Sequence, residues 1–294
     1  MQHVRTALLD IAYEVAGPAD APVIILLHGW PDDIRAWRKV SPRLNEAGFL
    51  TIAPYLRGCG STHFLRDSAV RDGRGVALVQ DTIDLADALS LDRFAVVGYD
   101  WGARAAYFLA SLFPDRITRM AALGLAYQPK GLFTVPSFAQ ARRIWYQWFM
   151  CVEGGAAAVG RDPKSFARIQ WETWSPAGWF DDEEFNETAQ SFENPDWVAI
   201  TLHGYRSRYV QQVCDVRYDI LQEQLRTIDR VEVPTLMLQG AADACDPPER
   251  SEGQGSYFAA GWHRVVLDGI GHFPTREAPG KTAAAIVTHF RDLL

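Results

Sequence analysis

One aspartate, one histidine and a second aspartate stand where the local pattern of the chain would hold each of them still. Asp100 is central to Phe94–Gly102, FAVVGYDWG, an apolar run that ends in Gly-x-Asp-x-Gly and is followed by the Ala-rich stretch Ala103–Phe113, stopping at Pro114. This predicts a strand turning sharply into a helix with Asp100 on the turn, because only small residues two before and two after it let such a turn pack on its own helix. Taken alone, the segment reads first as an Asp capping a helix N-terminus, and it is the segments farther along that change this. Farther on, VPTLMLQG leads into Ala241, Ala242 and Asp243, and HRVVLDG leads into Ile270, Gly271, His272, Phe273 and Pro274. An acid after one strand and a histidine after the next complete the order nucleophile, acid, base. Asp246 is the alternative acid, and no carboxylate lies between the run Met120–Leu125 and Gln128. A lone His or Asp is more often a surface or turn residue; their order after successive strands argues for chemistry. A carboxylate nucleophile is already ionised at neutral pH and can displace a leaving group at an sp³ carbon, giving an ester on Asp100. His272, oriented by Asp243, would then activate water against that ester.

Placing these groups requires a sheet. Short aliphatic runs bounded by Gly and Pro recur at Val23–Leu27, Leu50–Ala53, Phe94–Val97, Met120–Leu125, Thr235–Leu238 and Val265–Leu267, with helical patterns between them. The alternation predicts an α/β fold, a mostly parallel sheet flanked by helices, with ligands at the carboxyl edge of the strands. The N-terminal residues alternate like a strand and lack the apolar core of a signal peptide. From about Gln128 to Arg230 no strand run appears, and the segment holds Trp145, Trp148, Trp171, Trp174, Trp179 and Trp197 of the ten tryptophans. It is too long for a loop and predicts an inserted helical lid or cap over 129–229, on a core made of 1–128 and 230–294.

Composition narrows the function classes. The chain has 294 residues, 48% of them hydrophobic, enough for a large single core. A net charge of −7 with no sustained basic run argues against nucleic acid as a partner, since that affinity comes largely from neutralising phosphates. No run of 18 apolar residues predicts a membrane span. The four cysteines, Cys59, Cys151, Cys214 and Cys245, show neither C-x-x-C nor metal-ligand spacing, which predicts free thiols and a cytoplasmic setting. The expected partner is a small apolar molecule, and the chemistry calls for no metal or organic cofactor.

These residues resemble the epoxide hydrolase and haloalkane dehalogenase branch of the α/β-hydrolase superfamily, over nearly the whole chain. The likeness to epoxide hydrolases rests on His28–Pro31 (HGWP), Arg57–Ser61 (RGCGS), GYDWGA and GHFPTREAP. The resemblance implies that backbone N–H groups of Trp30 and Trp101 form an oxyanion hole. It also implies two cap tyrosines that bind the epoxide oxygen. Tyr205, in LHGYRSR, matches the second; Tyr146, in IWYQWF, is the choice for the first, with Tyr209 and Tyr127 as lesser candidates and an aromatic packing cluster as the bland alternative. Tyr55 stands where many relatives have Asp, and Cys59 where Tyr is common. The alternative reading is a haloalkane or haloacid dehalogenase with the same triad, using Trp101 to hold halide. Against it, Trp30 stands where those enzymes commonly have Asn or Glu. Fluoroacetate dehalogenases resemble the chain through Arg104 but carry Arg where Trp101 stands, which argues against a carboxylate substrate. Arg104 is then expected to pair with a carboxylate on its own helix.

Overall fold

Nine strands form one sheet in the computed structural model, which describes residues 1–294. In chain order they are β1 (Gln2–Arg5), β2 (Leu9–Ala16), β3 (Val23–Leu27), β4 (Leu50–Pro54), β5 (His63–Phe64), β6 (Phe94–Tyr99), β7 (Ile117–Leu123), β8 (Thr235–Gly240) and β9 (Trp262–Leu267). Their spatial order is β1-β2-β4-β3-β6-β7-β8-β9, with β5 added to β2. From β4 to β9 all neighbours are parallel, whereas β1, β2 and β5 pair antiparallel. Parallel strands covered on both faces read as continuous apolar runs, and every residue of β6 and β8 is buried. The topology of the strands reverses at β3, which has β4 on one side and β6 on the other, so a crevice opens beyond their carboxyl ends. HGWP leaves β3 there, and Asp100 leaves β6.

The six strands expected from the sequence are all present, with shifted ends. The run Met120–Leu125 belongs to a strand that starts at Ile117 and stops at Leu123, because Gly124 turns the chain at φ +66°. Thr118 and Arg119 hid its first half from an apolar pattern. The edge strands β1 and β5, each paired with β2, had no such signal beyond the N-terminal alternation.

Residues 129–229 contain only helices and 3-10 turns, including Trp145–Cys151, Pro163–Thr173, Asp182–Ala189 and Trp197–Arg206. Trp171, Trp174 and Trp197 are buried, and the Trp171 indole donates to the Pro31 carbonyl at 2.8 Å, so the aromatic content of this segment packs against the turn after β3. Its last helix, Asp219–Thr227, lies on the core helix Trp101–Leu112. The four cysteines are free, and no helix is long and apolar enough to cross a membrane.

Candidate active site

The strand β6 ends at Tyr99 and the helix begins at Trp101, leaving Asp100 alone on the turn at φ 51°, ψ −109°. A non-glycine residue held there costs on the order of 1–3 kcal/mol, which the surrounding packing must impose. The flanking glycines make it possible. A Cβ on Gly98 would sit 2.0 Å from the Gly102 carbonyl oxygen, and one on Gly102 would sit 2.0 Å from that of Leu27. Gly102→Ala is therefore expected to lose at least the ~1–3 kcal/mol typical of overpacking, measured as a lower urea midpoint; an unchanged midpoint would contradict this close approach.

Three side chains predicted far apart in sequence meet here. His272 Nδ1 lies 2.8 Å from Asp243 Oδ2, and its Nε2 lies 3.5 Å from Asp100 Oδ2. Asp243 Oδ1 accepts the backbone N–H groups of Cys245 and Asp246 at 2.7 and 2.8 Å, which fixes the carboxylate and frees Oδ2 for the imidazole. Burial disfavours a charged imidazole, but Asp243 and then Asp100 outweigh it and push His272 up to about 10. Asp246, the alternative acid, faces elsewhere: its carboxylate accepts from Ala126 N at 2.6 Å and pairs with Arg250 at 2.5 Å.

The loop carrying His272 is tied on both sides. Glu277 accepts from the N–H groups of Gly271 and Phe273 and from the Ser175 hydroxyl, while Ser175 Oγ in turn accepts the His272 N–H at 2.8 Å. Arg276 reaches from the same loop to Asp32 beside HGWP at 2.6 Å and to Glu184 and Thr188 at 2.9 and 3.0 Å. Burial drives Asp32 up to about 6 even against this cation. Arg276 and Glu277 belong to the quoted GHFPTREAP segment, although the sequence assigned them no task. Ser175 had no local signal at all.

At the end of β3, Trp30 N donates to Asp100 Oδ1 at 2.9 Å, while Trp101 N, the first of its helix, has no backbone acceptor. Both expected oxyanion donors thus flank the nucleophile, one engaged with it. His28 is committed to structure, with Nδ1 on the Gly29 carbonyl and Nε2 accepting from Leu56 N. Arg57 is likewise structural, buried on Asp81 and Tyr218.

Tyr146 and Tyr205 come together above Asp100, their ring centroids 5.3 Å apart and perpendicular. Both line, with Asp100, a cavity of about 370 Å³. The Tyr205 oxygen accepts from the Trp101 indole at 3.0 Å, and the Tyr146 oxygen accepts from Gln147 Nε2 at 3.0 Å. Each phenol oxygen is thereby held from one side; the Tyr205 proton meets no protein acceptor, whereas the Tyr146 hydroxyl also lies 3.7 Å from Cys245 Sγ, a long contact in which either group can donate. Burial, then Cys245 for Tyr146 and Asp100 for Tyr205, raises both hydroxyls well above the ordinary phenol range, so they are donors at neutral pH. Tyr146 also stacks on Trp30 at 5.7 Å, so it is a member of the aromatic cluster as well. Tyr209 donates to Gln147 Oε1 at 2.9 Å and so supports Tyr146 through that amide. Tyr127 packs among Tyr107, Tyr257 and Phe258.

Two expectations about neighbouring residues change. Both indole N–H groups are occupied by the protein, Trp101 on Tyr205 and Trp30 on Thr201 at 2.9 Å, so neither is free for a halide. Arg104 forms no ion pair on its helix. It is buried and its one hydrogen bond is a long one, 3.4 Å to the Gln128 side chain. Away from the site, Asp72, His203 and Cys214 bring potential metal ligands within 4.8 Å. Protein groups already occupy them: His203 accepts from Gly73 N and contacts the Val213 carbonyl, and Asp72 holds Arg74 and Asp215 N.

A buried carboxylate on a strand-to-helix turn, a histidine bridged to a second carboxylate, and a parallel sheet beneath them are the arrangement of a hydrolase. The chain belongs to the α/β-hydrolase fold family, whose model matches residues 22–275. It is 26% identical to epoxide hydrolase A of Mycobacterium tuberculosis, across 92% of this chain and 91% of that protein. A candidate epoxide hydrolase from Klebsiella pneumoniae, known from its crystal structure, is 34% identical with a TM-score of 0.91, covering 99% of this chain and 97% of the other. The crystal structure of epoxide hydrolase A from Mycobacterium thermoresistibile is 25% identical at a TM-score of 0.77, with 99% and 97% covered.

Proposed function

We propose that this protein is an epoxide hydrolase that opens a small epoxide to a vicinal diol through an ester on Asp100. What carries the reading is the pair of phenols: Tyr146 and Tyr205 face the same cavity as the carboxylate, and each oxygen accepts one hydrogen bond, so that the Tyr205 proton is free for a substrate oxygen and the Tyr146 proton has only a long 3.7 Å contact with Cys245 Sγ to give up. The similarity to epoxide hydrolase A of Mycobacterium tuberculosis supports it.

In the first half-reaction Asp100 Oδ2 attacks an epoxide carbon. The carbon–oxygen bond of the ring breaks, and the departing oxygen takes its proton from one tyrosine while the other donates a hydrogen bond. Asp100 Oδ1, held by Trp30 N, becomes the ester carbonyl oxygen. The resting imidazole is poised between two carboxylates; esterification removes the charge of one of them, so the His272 pKa falls from its resting value of about 10 and the ring becomes a base. It takes a proton from water as the water oxygen attacks the ester carbonyl carbon. The oxyanion is met by the N–H groups of Trp30 and Trp101; as it collapses, the diol leaves with the former Oδ2 and the remaining proton of the added water, which restores the Asp100 carboxylate, while the proton that the imidazolium gave up on esterification returns the tyrosinate to a phenol. Residues 129–229 act as the cap that brings both tyrosines over the nucleophile, and 1–128 with 230–294 as the catalytic core. The occupied indoles speak against halide displacement.

A mixed assay with styrene oxide and 1-bromobutane tests the reading. The diol is expected from the first, with no bromide from the second. Bromide release without diol formation would replace epoxide chemistry with dehalogenation.

A further inference from the structure

The active-site cavity holds two cations that the reaction above does not use. Arg104 lies one helical turn after Asp100, its backbone N–H bonded to the Asp100 carbonyl, and Arg208 lies two residues beyond the end of the helix Trp197–Arg206, three after Tyr205. Both line the cavity with Asp100. Their guanidinium carbons sit 5.1 and 4.7 Å from the centroid of one ring, Phe133, so two like charges share a wall. Neither has a carboxylate partner. Arg208 donates to the Gly204 carbonyl and, at 3.4 Å, to the Gln147 side chain. By contrast, two other cations lining the cavity are neutralised, Arg250 by Asp246 and Lys130 by Asp229. Asp100 cannot serve as their counter-ion at contact distance, because its oxygens face Trp30 N and His272.

Arg104 is buried and Arg208 half-buried, the latter also over the Tyr205 ring at 4.4 Å; a buried guanidinium without a carboxylate is costly, and a like charge beside it adds to the cost. Arg104 carries that cost visibly: burial, and next the charge of Arg208, lower it to about 10. A planar fork of donors with free terminal nitrogens is the geometry that takes a carboxylate in two hydrogen bonds.

We propose that Arg104 and Arg208 form a carboxylate-binding subsite beside the nucleophile, so that the preferred epoxide bears a carboxylate close to its ring. The substrate is then amphipathic, with its oxirane among Trp30, Tyr146 and Tyr205 and its anionic group against the arginine wall. This reverses the expectation of a wholly apolar substrate, and the substrate it names rests on the epoxide hydrolase reading. The same two arginines also border a neighbouring cavity of about 300 Å³, so an anion seated there instead is the competing outcome.

Matched probes decide it. Wild-type enzyme is assayed with trans-3-phenylglycidate and with its neutral amide, and the inert pair hydrocinnamate and hydrocinnamide is measured by calorimetry and as inhibitors. The acid is expected to have a KM at least tenfold below that of the amide, and hydrocinnamate to bind at least tenfold tighter than hydrocinnamide and to inhibit competitively. In Arg104→Gln and in Arg208→Gln the acid-to-amide ratio of KM collapses towards one, while Arg104→Lys retains part of it. Equal KM values in the wild type, a ratio that survives both glutamine substitutions, or non-competitive binding of hydrocinnamate would each overturn the subsite. Selective hydrocinnamate binding that competes with the glycidate for the site, in an enzyme that opens neither epoxide, supports the subsite and defeats the epoxide hydrolase reading instead.

Discussion

His272→Gln is expected to be alkylated by an epoxide in a single turnover and then to stop. Glutamine is comparable in reach and can hydrogen-bond, but it cannot take a proton from water, so the ester on Asp100 persists. Intact-protein mass spectrometry should find one adduct of substrate mass, mapped to the peptide containing Asp100, with steady-state diol formation reduced by about 10²–10⁴-fold, the usual range for losing a general base. An adduct on another residue, or undiminished turnover, would remove His272 from this role. The substitution also carries a pH signature in stability. The folded pKa of about 10 lies above the ordinary 6.5, so the charged imidazole contributes stability that is full below about 6.5 and is lost as pH rises through about 10. His272→Gln should therefore lower the urea midpoint more at pH 6 than at pH 10, because at the lower pH it leaves Asp100 and Asp243 without their shared cation.

The second large effect is on ring opening. Tyr205→Phe and Tyr146→Phe are each expected to slow alkylation by about 10- to 1,000-fold, since each factor of ten corresponds to ~1.4 kcal/mol of lost stabilisation of the developing alkoxide. The double variant should form almost no ester while keeping the far-ultraviolet dichroism of the wild type. The two single variants differ in their side effects. Tyr205→Phe leaves the Trp101 indole donor without its acceptor in a buried site, a cost of about 1–3 kcal/mol in stability, whereas Tyr146→Phe leaves Gln147 Nε2 without its acceptor while Oε1 of the same amide keeps the Tyr209 hydroxyl. Rapid-quench measurement of the ester separates this step from hydrolysis. Full alkylation rates in both tyrosine variants would defeat the epoxide mechanism.

The triad was legible because its members sit at strand ends, where a short apolar run and its glycines announce position. Gly98 and Gly102 marked the turn at Asp100, and the close approaches that a Cβ would make there explain why. The sequence preferred Asp243 and kept Asp246 as the alternative acid, without showing what sets the two apart. The difference lies in which carboxylate receives the N–H groups of its own turn and which is drawn to Arg250, a matter of three-dimensional placement. Tyr205 and Tyr146 were reachable only through resemblance, since nothing in a helical stretch of aromatic residues distinguishes a tyrosine that faces a cavity from one that fills a core. Gln147 and Ser175 gave no signal because their partners, Tyr209 and His272, are 62 and 97 residues away. Arg104 was misread for a related reason. Helical spacing predicts which neighbours a side chain could meet, but the burial that leaves it without a carboxylate comes from Phe133 and Arg208 on other segments.

The reach of Arg276 sets an order of events for a chain made from one end to the other. Asp32 and Asp33 emerge early, and the cation that neutralises Asp32 follows 244 residues later, with Glu184 delivered in between. Until then Asp32 lacks a cation, although Asp33 already has Arg35 two residues on, so burying the Asp32 carboxylate in the turn after β3 is unfavourable. The arrival of one guanidinium closes the turn that carries Trp30, anchors the helix Asp182–Ala189 and seats the histidine loop in a single event. A nascent chain can thus own its nucleophile, and the strand beneath it, well before it owns a working enzyme.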